Sequence, residues 1–102
     1  MKKAIIVTCS LLSVLLAQSM TIEGIVKDKK TEKNLIGANV FIVGTSIGAS
    51  TNTEGKYILK NVKPGSYKVK ASYIGYQAVE VDIDVTSSEN MTQDFELSYV
   101  SL

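Results

Sequence analysis

The sequence predicts an all-β fold, an antiparallel β-sandwich, from two alternating segments and from regularly spaced turn residues. Apolar and polar residues alternate strictly from Tyr67 to Tyr73 and again from Val79 to Val85. A period of two is typical of strands that bury one face. No stretch carries a helical period over three turns. Turn signals recur roughly every 8–12 residues, as they do in antiparallel sandwiches.

The two alternating segments are predicted to pair with each other. Their apolar residues, including Val69, Val81 and Ile83, then share the core. Lys68 and Lys70 face the carboxylates of the partner segment across the ladder, where Glu80, Asp82 and Asp84 alternate with the apolar residues. Exposed pairs of this kind contribute only tenths of a kcal/mol, so they favour register more than stability.

Four further segments are predicted to be strands. The second of them is nearly all apolar, which suits either a central strand or one that is buried on both faces. The last alternates in the same way as the paired segments. The four segments are Thr21 to Val26, Ala38 to Val43, Lys56 to Lys60 and Met91 to Leu97.

Composition limits the chain to one small globular domain. It has 102 residues, of which 45% are hydrophobic and 21% are charged, and these values are typical of a folded domain. The net charge is +1, and all 11 cationic residues are lysines. We expect no nucleic-acid partner, because phosphate binding requires a concentrated basic surface.

Residues 1–19 are predicted to be a secretory signal peptide that precedes a domain over residues 20–102. Two lysines open the chain, and an apolar run of about 14 residues ends at Ala17, which is too short for a membrane crossing of ~20 residues. Small residues at Ala17 and Ser19 suit cleavage before Met20. Cleavage after Ala17 and an uncleaved N-terminal anchor are the alternatives.

The residue inventory excludes most catalytic chemistry from the mature domain. The chain has no histidine, and its one cysteine, Cys9, lies inside the apolar run. A domain without either residue lacks disulfides, the usual general base, thiol nucleophiles and the usual zinc ligands. We therefore expect no catalytic residue, no metal site and no cofactor, and we interpret the protein as a non-enzyme.

Turn residues carry the strongest local signals. Pro64 and Gly65 fit the two central positions of a type II turn. Asn52 is expected to accept a hydrogen bond from the backbone two residues on. Gly75 allows the chain to bend so that Tyr76 tucks its ring under the sheet. The predicted structural turn residues are Gly37, Gly44, Asn52, Gly55, Pro64, Gly65, Gly75 and Tyr76.

Six short motifs, in order, resemble those of the carboxypeptidase D regulatory-like domain family. The resemblance extends from Thr21 to about Leu97. The chain departs from the family pattern at Asn34, where proline is frequent, and at Asn52, where aspartate is usual. The loss of charge at Asn52 weakens any metal site there. The matching residues are Gly24, Val26 and Asp28; Leu35, Gly37, Ala38 and Val40; Gly44 and Thr45; Thr51, Gly55 and Tyr57; Gly65, Tyr67 and Val69; and Ser72, Gly75 and Tyr76.

This resemblance implies a seven-stranded, transthyretin-like β-sandwich. It also implies export to the periplasm or outer membrane, because many TonB-dependent outer-membrane receptors of Bacteroidota carry this domain directly after their signal peptide. The receptor's plug and barrel, or another envelope protein, are the implied partners. The predicted function is a non-catalytic accessory domain, either from a truncated receptor or as a free-standing version.

The alternative is a secreted or cell-surface module that binds carbohydrate or peptide. Tyr73 and Tyr76 are its candidate contact residues, since their rings form a small platform if they face outward. The competing interpretation places Tyr73 in the core and makes Tyr76 a structural corner. Some transthyretin-like surface domains join a lysine to an asparagine or aspartate through an isopeptide bond. Lys27, with Asn90 or Asp94, offers the residues for such a bond here. The competing interpretation is that Lys27 is solvated and forms no such bond.

Overall fold

Strands account for all regular secondary structure in residues 19–86 and 90–100, the part of the chain that the computed structural model describes. The predicted signal peptide lies outside these residues, apart from Ser19. No helix with the length and apolarity of a membrane crossing occurs in the described ranges. The strands form two sheets that face each other, so the predicted all-β sandwich is confirmed.

Every predicted strand segment contains a strand, and one short strand, β3, was not predicted. The segment from Met91 to Leu97 forms two strands rather than one, because Gln93 and Asp94 interrupt it. Counting its two halves together gives the seven strands that the family resemblance implies. The strands are β1 (Met20–Asp28), β2 (Asn39–Ile42), β3 (Gly48–Ser50), β4 (Lys56–Val62), β5 (Gly65–Ser72), β6 (Val79–Val85), β7 (Met91–Thr92) and β8 (Phe95–Leu97).

The first sheet has the order β4-β1-β7, with β8 also paired to β1, and the second has the order β3-β2-β5-β6. The structure differs from a wholly antiparallel arrangement at one place, since β7 and β8 run parallel to β1. The chain crosses from β6 in one sheet to β7 in the other. Because this connection is not a hairpin, β7 does not have to run antiparallel to the strand beside it.

Strands β5 and β6 pair with each other, and the lysines of β5 lie opposite acids of β6, as expected. Lys68 lies opposite Asp82, and Lys70 lies opposite Glu80. Neither pair approaches within the distance of an ion pair, however. Among the described residues, the one such contact is between Lys27 and Glu32, at 4.0 Å. The opposed charges therefore fit the register without forming close pairs, as expected of exposed side chains.

The core lies between the two sheets and comes from the inward residues of each strand. Val69 and Ile83 are buried as predicted, whereas Val81 is half-buried and packs against the core's edge. Strand β2 is central in its sheet, between β3 and β5, but only one of its faces is covered. Of the two predictions for that segment, the central strand is correct. The buried apolar residues are Met20, Ile22, Val26, Leu35, Ala38, Val40, Ile42, Tyr57, Leu59, Val62, Val69, Ala71, Ile83, Val85, Phe95 and Leu97.

The predicted turns differ in how they form. Asn52 Oδ1 accepts hydrogen bonds from the backbone N–H of Glu54 at 2.9 Å and of Lys56 at 3.0 Å. The predicted type II turn at Pro64 is wrong, because Gly65 has φ of 155° rather than the value near +80° of such a turn. Gly65 is already extended in β5, opposite Val85. Glycines with positive φ outside the strands are Gly37, Gly44, Gly55 and Gly75.

Candidate functional site

The end of β1 is joined to the β5–β6 connection by Asp28 and Tyr76. The Tyr76 hydroxyl donates a hydrogen bond of 2.6 Å to Asp28 Oδ2. The other carboxylate oxygen, Oδ1, accepts from the backbone N–H of Lys30 at 2.8 Å and of Thr31 at 2.9 Å. Asp28 is only 7% exposed, so both of its oxygens are engaged within the fold.

These hydrogen bonds reinforce the charge state that each group already has at neutral pH. The bond from Tyr76 lowers the pKa of Asp28 below its ordinary value, and the N–H of Thr31 acts in the same direction against the effect of burial. The same bond to Asp28 raises the pKa of Tyr76 to about 12. Asp28 is therefore a carboxylate and a weak base, and Tyr76 is a neutral donor, which suits a structural link better than proton transfer.

Three tyrosines gather around this link. The ring centroids of Tyr73 and Tyr76 lie 5.6 Å apart, and those of Tyr76 and Tyr99 lie 5.4 Å apart with the rings edge to face. Tyr73 and Tyr76 are half-buried, whereas Tyr99 is 66% exposed. The two candidate contact residues thus stand at the margin of the core. The most exposed ring belongs to Tyr99, which the sequence analysis missed.

The segment that carries Tyr99 is paired with the loop that carries Tyr76. Gln77 N–H donates to the carbonyl of Ser98 at 2.9 Å, and Val100 N–H donates to that of Gly75 at 2.8 Å. Gly75 has φ of 83°, which suits the bend of this loop. The bend leaves Ile74 90% exposed. We call Tyr73, Ile74, Tyr76, Tyr99 and Val100 the tyrosine surface.

A cavity of about 510 Å³ adjoins the tyrosine surface. Its lining combines one exposed ring with hydroxyl, carboxylate and lysine residues from the end of β1, the β1–β2 loop and the segment after β8. Lys29 is fixed there by its backbone N–H, which donates to the carbonyl of Leu97 at 2.9 Å. The lining residues are Asp28, Lys29, Lys30, Thr31, Ser98 and Tyr99.

A second cavity, of about 560 Å³, lies over β1 and β4, and Asp94 and Tyr57 in its lining form hydrogen bonds within the fold. Asp94 Oδ1 accepts a hydrogen bond of 2.9 Å from Ile25 N–H. The hydroxyl of Tyr57 donates to the Gln93 carbonyl, and burial, together with the charge of Asp94, raises the pKa of Tyr57. The described part of the chain holds no group of three or more histidine, cysteine or acidic residues that could bind a metal.

The residues considered for an isopeptide bond have other partners. Lys27 Nζ lies 4.0 Å from a Glu32 carboxylate oxygen. Asn90 Oδ1 accepts a hydrogen bond of 3.2 Å from the backbone N–H of Thr21, and Asp94 is bonded to β1 as described above. These contacts favour the interpretation in which Lys27 is solvated and forms no isopeptide bond.

Solved structures of other proteins have a similar fold. A chain in a type II Cohesin-X-Dockerin complex from Acetivibrio cellulolyticus is 28% identical, with a TM-score of 0.60 over 72% of this chain and 51% of that one. The Bacillus anthracis TIE protein has a TM-score of 0.67 at 19% identity, over 81% of this chain and 17% of that one. The second likeness concerns the fold alone.

Comparison of sequences places the chain in a family. It is 38% identical over 81 residues to the TonB-dependent receptor SusC of Bacteroides thetaiotaomicron, a match that covers 79% of this chain and 8% of the receptor. The chain thus spans a small fraction of that relative's length. Residues 22–101 match the CarboxypepD_reg-like domain. The chain therefore belongs to the CarboxypepD_reg-like domain family.

Proposed function

We propose that this chain is a non-catalytic accessory domain, the N-terminal periplasmic module of a TonB-dependent outer-membrane receptor. Residues 1–19 export it, and residues 20–102 form the module. The observation that carries the proposal is the 38% identity to the receptor SusC across 79% of the chain. A match of that extent relates nearly the whole domain, rather than one motif, to part of a receptor.

The chemistry of the described residues supports a non-catalytic role. Asp28 uses both carboxylate oxygens within the fold. The pKa values of Tyr57 and Tyr76 are raised, so both phenols stay neutral at physiological pH. A general base or nucleophile needs a pKa tuned toward neutrality, and the pKa values of these three groups are shifted away from it.

The tyrosine surface supports docking to a protein over binding of a free sugar. Sugar-binding sites combine a flat aromatic platform with polar side chains that bond the hydroxyls. Tyr73 and Tyr76 are half-buried, and the Asp28 carboxylate beside them is engaged. What remains exposed is mainly apolar, at Ile74 and Tyr99, and exposed apolar patches mark interaction sites.

Fractionation of the native cells tests this proposal. An antibody raised against residues 20–100 should detect a receptor-sized protein in the outer membrane, and protein sequencing should place its mature N-terminus between Gln18 and Met20. A small soluble product in the periplasm or medium would favour the free-standing module. Detection in the cytoplasm with Met1 retained would overturn the proposal.

Removing the domain from the receptor is the functional test. Deletion of residues 20–100, with the signal peptide kept, should reduce ligand uptake while the barrel still assembles in the outer membrane. Assembly is measured by heat-modifiable migration in gels, and uptake by radiolabelled ligand. Unchanged uptake at equal receptor level would contradict an accessory role.

A further inference from the structure

The tyrosine surface is largely apolar, and Tyr99 connects it to a cavity that is lined in part by lysines. Ile74 is 90% exposed, Tyr99 66% and Val100 46%. The adjoining cavity of about 510 Å³ is lined by Tyr99 together with Lys29 and Lys30. A surface with an apolar patch and a basic rim on one side favours a ligand that carries apolar groups against the patch and acidic groups against the rim.

The lysines of this rim form no ion pair within 4.0 Å in the described fold. The cavity's one carboxylate, Asp28, already accepts from Tyr76 and from two backbone N–H groups. In residues 19–86 and 90–100 the lone ion pair within 4.0 Å is that of Lys27 and Glu32. Among the described residues, Lys29 and Lys30 therefore present ammonium groups that have no carboxylate oxygen within 4.0 Å, while Asp28 is held in place by its own hydrogen bonds.

We propose that the tyrosine surface and its cavity bind an acidic peptide whose carboxylates alternate with aliphatic side chains. The aliphatic groups pack on Ile74 and Val100, and the carboxylates lie near Lys29 and Lys30. This inference rests on the proposed function, because it names the chemistry of the partner that a non-catalytic module docks.

A peptide fits this surface better than a carbohydrate does. Ile74, the most exposed of the large apolar residues in the described chain, is branched and aliphatic, and it offers no flat face to a sugar ring. Burying such a side chain against another aliphatic group contributes through the hydrophobic effect, at about 25 cal/mol per Å². The lysines supply donors only, which match carboxylates rather than hydroxyl groups that must also donate.

Fluorescence anisotropy with the purified mature chain tests the proposal. The probe is a short fluorescein-labelled peptide in which glutamate and aspartate alternate with valine and leucine. Two control peptides replace either the acids with their amides or the aliphatic residues with serine. We expect saturable binding of the probe, about tenfold weaker binding of each control, and weakening with salt, because screening shortens the range of surface charges.

Protein variants locate the site. Ile74→Ser should weaken binding about tenfold, and the double variant Lys29→Glu with Lys30→Glu should do the same. All three residues are exposed, so melting temperatures should match the parent. The matched controls are Ile58→Ser and Lys60→Glu, which change exposed residues of β4 that line neither the tyrosine surface nor its cavity. They should bind as the parent does.

Several results would overturn the proposal. These are absence of saturable binding, equal binding of the amide peptide, and equal losses in the β4 controls. A concentration-dependent dimer that Ile74→Ser abolishes, without peptide binding, would identify a second copy as the occupant instead. Binding of neutral oligosaccharide in place of the peptide would restore the carbohydrate alternative. None of these results bears on whether the domain lies in a receptor, which fractionation decides separately.

Discussion

Tyr76 and Asp28 lie 48 residues apart in sequence, and their side chains meet in a hydrogen bond of 2.6 Å. The bond joins the end of one sheet's central strand to the loop that bends between two strands of the other sheet. It also fixes Tyr76 between Tyr73 and Tyr99. The same contact therefore links the two sheets and positions part of the tyrosine surface.

Replacing Tyr76 with phenylalanine should destabilise the domain, because it removes this hydrogen bond and leaves the ring in place. A buried carboxylate that loses a hydrogen-bond donor keeps the free-energy cost of its desolvation without the bond that offset part of it. Urea denaturation should show a lower midpoint with an unchanged slope. Tyr99→Phe is the control, since Tyr99 is 66% exposed, and its midpoint should stay close to that of the parent. Equal effects of the two changes would show that the Asp28 bond adds no stability.

The domain should lose stability at acid pH, where Asp28 becomes protonated, and at alkaline pH, where Tyr76 loses its proton. The pKa of Asp28 is lowered from 3.8, so its contribution is full above that value and is lost as pH falls through the lower folded value. The pKa of Tyr76 rises from 10.0 to about 12, so its contribution is full below 10.0 and is lost as pH rises toward 12.

Denaturation midpoints measured across the pH range check both limbs. Asp28→Asn should flatten the acid limb, because the side chain no longer titrates. Tyr76→Phe should flatten both limbs, since it removes the alkaline titration and the main cause of the lowered Asp28 pKa. An acid limb of the same slope in Asp28→Asn would assign acid unfolding to other carboxylates.

Ile83→Ala should cost about 2–5 kcal/mol of unfolding free energy, because it leaves a cavity in a well-packed core. Ile83 is 5% exposed, and no disulfide occurs in the described chain to compensate the loss. Glu80→Ala, on the exposed face of the same strand, should stay within about 0.5 kcal/mol. Chemical denaturation of both variants measures the difference. The reverse order would contradict the facing assigned to β6.

Much of the second sheet was predictable because its information is local. Alternation alone located β6 at Val79–Val85, and it placed the lysines of β5 on the same side as the acids of β6, without deciding which lysine faces which acid. Strand β3 was not predictable in the same way. It lies at the sheet edge and has three residues, which are too few to show an alternating pattern.

The candidate site was predictable only in part. Gly75 and Tyr76 gave a turn signal that marked the loop, but Asp28 appeared only as one residue of a family motif. Its partner is remote in sequence, and periodicity carries no information on such contacts. Tyr99 lies beyond β8 and outside any alternating segment. It became part of the surface only through backbone bonds to the loop of Gly75.

The break between β7 and β8 has a tertiary cause. Met91 to Leu97 alternates like one strand, yet the chain departs from the ladder where the Gln93 carbonyl approaches Gly24 on β1. A Cβ atom on Gly24 would overlap that carbonyl, so Gly24→Ala forces the backbone of one strand to move. Asp94, which bonds to Ile25 N–H, and the Tyr57 hydroxyl, which bonds to the Gln93 carbonyl, would lose their partners as well.

Gly24→Ala should therefore cost about 3 kcal/mol or more, the upper range for overpacking, and should raise amide hydrogen exchange in residues 91–97. Gly48→Ala is the matched control on edge strand β3. There the added Cβ would lie 3.1 Å from Phe41 Cβ, and the exposed edge can yield by a few tenths of an ångström, so the loss should stay within about 1 kcal/mol. Similar losses and similar exchange in the two variants would show that Gly24 is not specifically required for the approach of Gln93, and the cause assigned to the strand break would be incorrect.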